Sequence, residues 1–170
     1  MGYHVEGEVD GVVIRGAQVP GAIAALKELM ATVQEKGGGG SSTPGKESVL
    51  SFSWVNTTEC LGALERNNLV AALDAWRYSA KEGAEMTPLE QLGLGHQHRD
   101  VVLNYFEGEK WGDDEQLWET LAPFVDEGGI ITFCGEDNHR WRYVFEKGGL
   151  TNQTCTLVWE YNDLGVQRLV

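Results

Sequence analysis

Positive charge is scarce in this chain: 13 Lys and Arg stand against 26 Asp and Glu in 170 residues, for a net charge of -13 at neutral pH. A surface of that sign repels phosphate backbones and anionic headgroups, so direct nucleic-acid binding and membrane attachment are not expected. Cysteine is scarce too. Cys60, Cys134 and Cys155 show no CxxC spacing, and an odd number cannot all pair within one chain. Two of the three sit in strand-like runs, where cysteine behaves as a small buried hydrophobe, and a reduced, cytoplasmic protein is the expectation. Long apolar runs are missing: "GGIITFC" and "LVAAL" are far too short to span a bilayer. Residues 1–20 carry no basic region ahead of an apolar core, so no secretory leader is expected.

The usual catalytic signatures are also absent. There is no GxSxG serine elbow. The glycine-rich stretch ends in Gly45-Lys46-Glu47, which puts a carboxylate where a phosphate-binding loop needs a hydroxyl. His96-x-His98, with Asp100 nearby, has neither the helical HxxxH spacing nor the cysteine partners of a zinc site. No metal, cofactor or catalytic residue is expected from these patterns, and a binding protein is favoured over an enzyme.

What is present suits one folded domain over 1–170. Hydrophobic residues make up 42% and aromatics 9%, enough apolar surface to offset the entropy of ordering the chain. "YHVEGEVDGVVIRG" alternates Val5 with acids and then runs "VVI", a strand or hairpin with a turn near Asp10-Gly11. "PGAIAALKELMATVQEK" places Pro20 in a first turn and repeats Ile23, Leu26, Met30 and Val33 at spacings of three and four, which predicts an amphipathic helix. The stretch 37–47 is a flexible Gly/Ser loop by composition. "SVLSFSWV" alternates as a strand with one buried face. "NTTE" is a capping pattern ahead of the helical stretch "CLGALERNNLVAALDAWRYSAKEG", and the phase change between Leu64 and Leu69 places a break between two short helices at Asn67-Asn68. "GAEMTPLEQLGLGHQHRD" is loop-rich.

The last third is the most regular. "VVLNYFEGEK" reads as a strand and "DDEQLWETLAPFV" as a helix with acids in its first turn, where the helix dipole favours them. Three strand-like runs follow: "IITFC", "RWRYVFE" and "TCTLVWEY". Trp141, Tyr143 and Phe145 share one face of the second, and Cys155, Leu157, Trp159 and Tyr161 share one face of the third. Aromatic rows of this kind pack a sheet against helices. The expected fold is α+β: an antiparallel or mixed curved sheet of about five to six strands, helices on one face, and ferredoxin-like strand–helix–strand elements.

One stretch, "ITFCGEDNHRWRYVFEKGG", gathers Glu136, Asp137, His139 and Arg140. Gly, Asp and Asn between two alternating runs are what a tight hairpin needs, so the turn explains the stretch before catalysis does. Arg140 and Arg142 point away from the aromatic row and are expected to pair across strands with Glu160, or with Glu107 and Glu109, at roughly 0.2–1 kcal/mol each.

At "YFEGEKWGDDEQLWETLAPFVDEGGIITFCGEDNHRWRYVFEKGG" the chain resembles small proteins of bacteriophages and actinobacterial mobile elements. The likeness lies in Met1 to Tyr3, in Gly108 to Trp111 and in the acidic helix from Asp113 to Val125. It extends through the F-x-G-E-D turn and W-R-x-x-F-x-x-G strand from Phe133 to Gly148. It implies an α+β fold with a curved sheet and a phage-like origin, and it carries over no catalytic residues. With the acidic balance, it implies an interaction protein that binds and inhibits a host factor, such as an anti-CRISPR or other anti-defence protein acting on a nucleic-acid-binding effector. From Val101 to Asp137 there are ten acidic residues and one basic, a net -9 in that segment. The expected contact residues are Glu107, Glu109, Asp113, Asp114, Glu115, Asp126, Glu127, Glu136 and Asp137, facing a host protein with a basic surface. The alternative is a small-molecule-binding protein or enzyme with a site near Glu136–Arg142, in which His139, Arg140 and Arg142 hold an anionic ligand beneath the Gly-rich loop.

Overall fold

The computed structural model describes residues 3–34, 55–83, 98–108, 114–155, 159–161 and 167–169. The calls on "SVLSFSWV" before Val55, on the loop at 37–47 and on most of "GAEMTPLEQLGLGHQHRD" lie outside them. The order is β1 (Val5–Asp10), β2 (Val13–Ile14), α1 (Val19–Gln34), α2 (Thr57–Glu65), α3 (Leu69–Asp74), β3 (Tyr78–Glu82), β4 (Val101–Gly108) and α4 (Asp114–Leu121). A 3-10 turn (Ala122–Phe124) follows, then β5 (Ile130–Gly135), β6 (Arg140–Glu146), β7 (Gly149–Thr154), β8 (Trp159–Tyr161) and β9 (Gln167–Leu169).

Every strand pairing is antiparallel. Val101 and Val102 pair with both β2 and β3, and Tyr105 and Phe106 with both β1 and β3. Hence β1 and β2 lie end to end along one edge of β4, with β3 along the other. The sheet runs β3, β4, β1/β2, β5, β6, β7, while β8 and β9 pair only with each other in a separate two-stranded sheet. Because β4 and β5 both flank β1 antiparallel, they run parallel to one another, and α4 connects them. That is the split strand–helix–strand of ferredoxin-like folds.

Alternation decides which residues face the helices. In β1 Val5 and Gly7 are buried while Glu6 and Glu8 are exposed; in β5 the buried set is Ile131, Phe133 and Gly135. β4 switches phase partway, and the chain from β1 to β2 switches phase between them. β3 pairs Ser79 with Tyr105 but Ala80 with Leu103, so β4 carries one extra residue at Asn104, a bulge that moves the buried set from Val101 and Leu103 to Phe106 and Gly108. Between β1 and β2, Gly11 adopts φ 62° and separates Val5 and Gly7 from Val12 and Ile14. The two breaks bend the sheet at the same level.

Phe133 sits at the centre of the core, 5.8 Å from the Phe106 ring, 5.3 Å from Trp141 and 5.1 Å from Tyr143. Trp118 of α4 contacts Tyr78 on the edge strand β3 at 5.0 Å and Phe145 on β6 at 5.6 Å. Those strands are four spacings apart, about 19 Å in a flat sheet, so the sheet curls around the helix. Ile23, Leu26 and Met30 of α1 are buried as their spacing requires. Asn56 and Asn68 cap α2 and α3 by accepting from the backbone N–H groups of Glu59 and Ala71.

Two strands differ from the sequence expectation. Tyr78–Glu82 was expected to continue a helix but forms β3. The partner of β6 was expected to be "TCTLVWEY" but is Gly149–Thr154, because Lys147 and Gly148, at φ 53° and 72°, make a two-residue turn that starts the return strand at once. Cys155 then falls opposite Arg140, and Trp159–Tyr161 pairs with β9 instead.

Candidate functional site

The core cluster and the described helices lie on one side of the sheet; no described helix covers the rows at the centre of the other side, although Val144, in phase there with Arg140 and Arg142, is itself buried at 7%. Register gives its layout. Glu107, Glu6, Cys134 and Arg140 form one row across β4, β1, β5 and β6; Tyr105, Glu8, Thr132 and Arg142 form the next. Residues directly opposite in a ladder project from the same face, and the burial pattern puts these rows outward. Tyr105 is the large hydrophobic residue most open to solvent among those described, at 53%. The sheet approaches the core closely beneath this strip: a Cβ on Gly7 would lie 2.9 Å from Phe106 Cβ and 3.2 Å from the Phe133 ring.

Glu6 and Glu107 are like charges set directly opposite, an arrangement that destabilises a sheet. The His4 ring stands 3.4 Å from Glu6. Among the described residues no ion pair reaches Glu8, Glu107, Arg140 or Arg142. Arg142 instead donates from Nε to Gln153 Oε1 at 2.7 Å. Of the pairings expected for the two arginines, Glu109 lies outside the described residues and nothing is described of the Glu160 side chain.

The hairpin tip is occupied with structure. Gly135 N–H donates to His139 O and Asn138 N–H to Gly135 O, with Asn138 at φ 62°. Asp137 accepts from the Tyr3 hydroxyl and, at 3.0 Å, from the His139 backbone N–H. These bonds hold the Asp137 carboxyl below its ordinary pKa, and the Asp137 charge and hydrogen bond push the Tyr3 phenol up to about 12. Glu136 N–H donates to His4 O at 3.0 Å, and the Glu136 carboxylate lies 3.4 Å from the His4 N–H. The tip therefore clasps the chain leading into β1. The His139 ring stacks on Trp141 at 5.6 Å. Shallow depressions of about 290 and 380 Å³ flank Arg140; the larger includes Thr132, Arg142, Gln153 and Cys155.

The expected acidic set does not form one patch. Asp114 is completely buried, with Oδ2 3.6 Å from the Arg77 guanidinium, so it faces the core and not a partner. Arg77 itself lies over the Phe106 ring at 5.4 Å, and burial together with the Asp114 charge pushes the neighbouring Tyr78 phenol well up. Asp126 is bridged by Arg15, which also holds Asp100, at 2.6 and 2.8 Å. Glu115, on α4, accepts from Asn152 at 3.1 Å. Glu127 is exposed at one end of β5, and Glu136 and Asp137 are exposed at the other. Glu109 and Asp113 lie outside the described residues. Glu107 stands on the uncovered face, and the residues beside it, Glu6 and Glu8, lie outside the expected set although their alternation with Val5 is visible in the sequence.

Among the described residues no group of three His, Cys, Asp or Glu side chains is placed to hold a metal ion, and His96 lies outside them. No described helix is long and apolar enough to cross a membrane. No family model matches the chain, and neither a curated protein nor a solved structure does.

Proposed function

We propose that this chain acts by binding a basic protein surface with the uncovered face of its sheet. The observation that carries this reading is the register that sets Glu6 opposite Glu107, with Glu8 two residues along the same interior strand. Beyond the His4 ring at Glu6, a like-charge pair of this kind destabilises the sheet on the scale of a cross-strand pair, roughly 0.2–1 kcal/mol, and a partner that brings Lys or Arg to the strip offsets that repulsion on binding. The charges would steer the encounter and make affinity fall with salt.

A nucleic-acid-binding host effector offers such a surface. The net charge of -13 and the phage-like resemblance both support the anti-defence form of this reading, an inhibitor of the anti-CRISPR kind. The small-molecule alternative has weaker support, since Glu136 and Asp137 are engaged in clasping the segment before β1. Capture from a host lysate at low and moderate salt tests the proposal. Wild type should retain a specific basic protein at low salt, and Glu6→Gln/Glu8→Gln/Glu107→Gln should not. Equal retention by that variant would overturn it.

A further inference from the structure

The uncovered face also carries the complement of its own acidic strip. The two rows cross three central strands in the order Glu6–Cys134–Arg140 and Glu8–Thr132–Arg142. Carboxylates stand on β1, cations on β6, and β5 between them presents uncharged Ile130, Thr132 and Cys134, all half-buried. The two charged strands are two spacings apart, about 9.6 Å.

We propose that a second copy of this chain docks on this face, with a two-fold axis running along β5. The proposal rests only on the reading of the uncovered face as a contact surface, and the second copy would compete with a basic partner for Glu6 and Glu8. Rotation about an axis along β5 preserves position along the strands and exchanges the two sides. It lays β1 of one copy over β6 of the other, so Glu6 meets Arg140 and Glu8 meets Arg142, each twice by symmetry. Thr132 and Cys134 meet their own counterparts in an uncharged seam, which stops short of Ile130 because Val144 opposite it is already buried. A two-fold axis across the strands would instead set glutamates on glutamates and arginines on arginines, so the charge pattern selects the first arrangement. Because the sheet curls toward its helices, contact is confined to the central strands. The association is correspondingly weak: its exposed pairs are screened by salt, and the net charge of -13 on each copy opposes it.

Sedimentation velocity on the purified full chain tests this, from about 1 to 100 µM at low and at about 0.5 M salt. The expected result is a concentration-dependent dimer at low salt that dissociates at high salt. Glu8→Arg and Arg142→Glu should each weaken it by at least about tenfold, and the combined Glu8→Arg/Arg142→Glu swap should restore it. That restoration separates lost pairing from misfolding, which circular dichroism of each variant also monitors. In a Cys155→Ser background, with Cys60 buried, a short bis-maleimide should link two copies through Cys134, and Cys134→Ser should abolish the link. Wild type that stays monomeric throughout at low salt overturns the proposal, as does a swap that fails to restore association. A monomer that still captures a basic protein through Glu6, Glu8 and Glu107 overturns self-association alone. A dimer that captures nothing sustains it and overturns the host-partner reading.

Discussion

Asp114→Ala should destabilise this protein severely, although the residue sits in the most acidic part of the sequence, where a surface role is the natural expectation. The Asp114 side chain is fully buried and the Arg77 side chain is 22% exposed, with 3.6 Å between them. Removing the carboxylate leaves the guanidinium largely desolvated over the Phe106 ring. Breaking a buried pair in this way costs about 3–5 kcal/mol, which for a chain of this size lowers Tm by roughly 6–20 °C. Urea denaturation followed by tryptophan fluorescence measures the change, and an unaltered m-value would locate it in stability and not in the denatured state. The double variant Arg77→Met/Asp114→Leu removes both charges and should recover most of the loss. If Asp114→Ala shifts stability by less than about 1 kcal/mol, the carboxylate is solvated and the burial argument fails.

Three further outcomes are expected. Gly7→Ala should cost about 1–3 kcal/mol by driving a methyl into Phe106 Cβ and the Phe133 ring; an unchanged melting temperature would mean the sheet does not press on the core there. The Tyr3 phenol should titrate at about 12 by ultraviolet absorbance and move toward its ordinary 10.0 in Asp137→Asn. Since its folded pKa is raised, the clasp stabilises fully below the unfolded value and is lost as pH rises through about 12; Asp137, whose folded pKa is lowered, contributes above its unfolded 3.8 and loses that contribution on acidification. Asn68→Ala should cost about 1 kcal/mol by uncapping α3, and a neutral result in urea melts would show that packing alone fixes that helix.

Local pattern was enough for the parts whose causes are local. The period of Ile23, Leu26 and Met30 gave α1, the Asn56 cap and the phase change at Asn67-Asn68 gave two helices, and alternating aromatics gave β6. Tyr78–Glu82 escaped because Ser, Ala, Lys and Glu are unremarkable in a helix. It becomes a strand because an edge of β4 is open, and Arg77 turns the chain at φ 70° with no glycine to announce it. The burial of Asp114 was illegible for a similar reason: its partner is distant in sequence, and an acid in a helical first turn reads as surface. The uncovered face was half legible. Glu6 and Glu8 show their alternation, but only the register reveals that Glu107 stands opposite and Arg140 and Arg142 lie two strands away.

The claim that the acidic strip is kept for contact at a cost in stability is tested most directly by one paired measurement on Glu107→Gln: unfolding free energy and capture of the basic partner on the same preparation. Stability should rise by about 0.2–1 kcal/mol as the repulsion with Glu6 is relieved, while capture at low salt falls. A variant that gains no stability and binds as well as wild type would contradict the account.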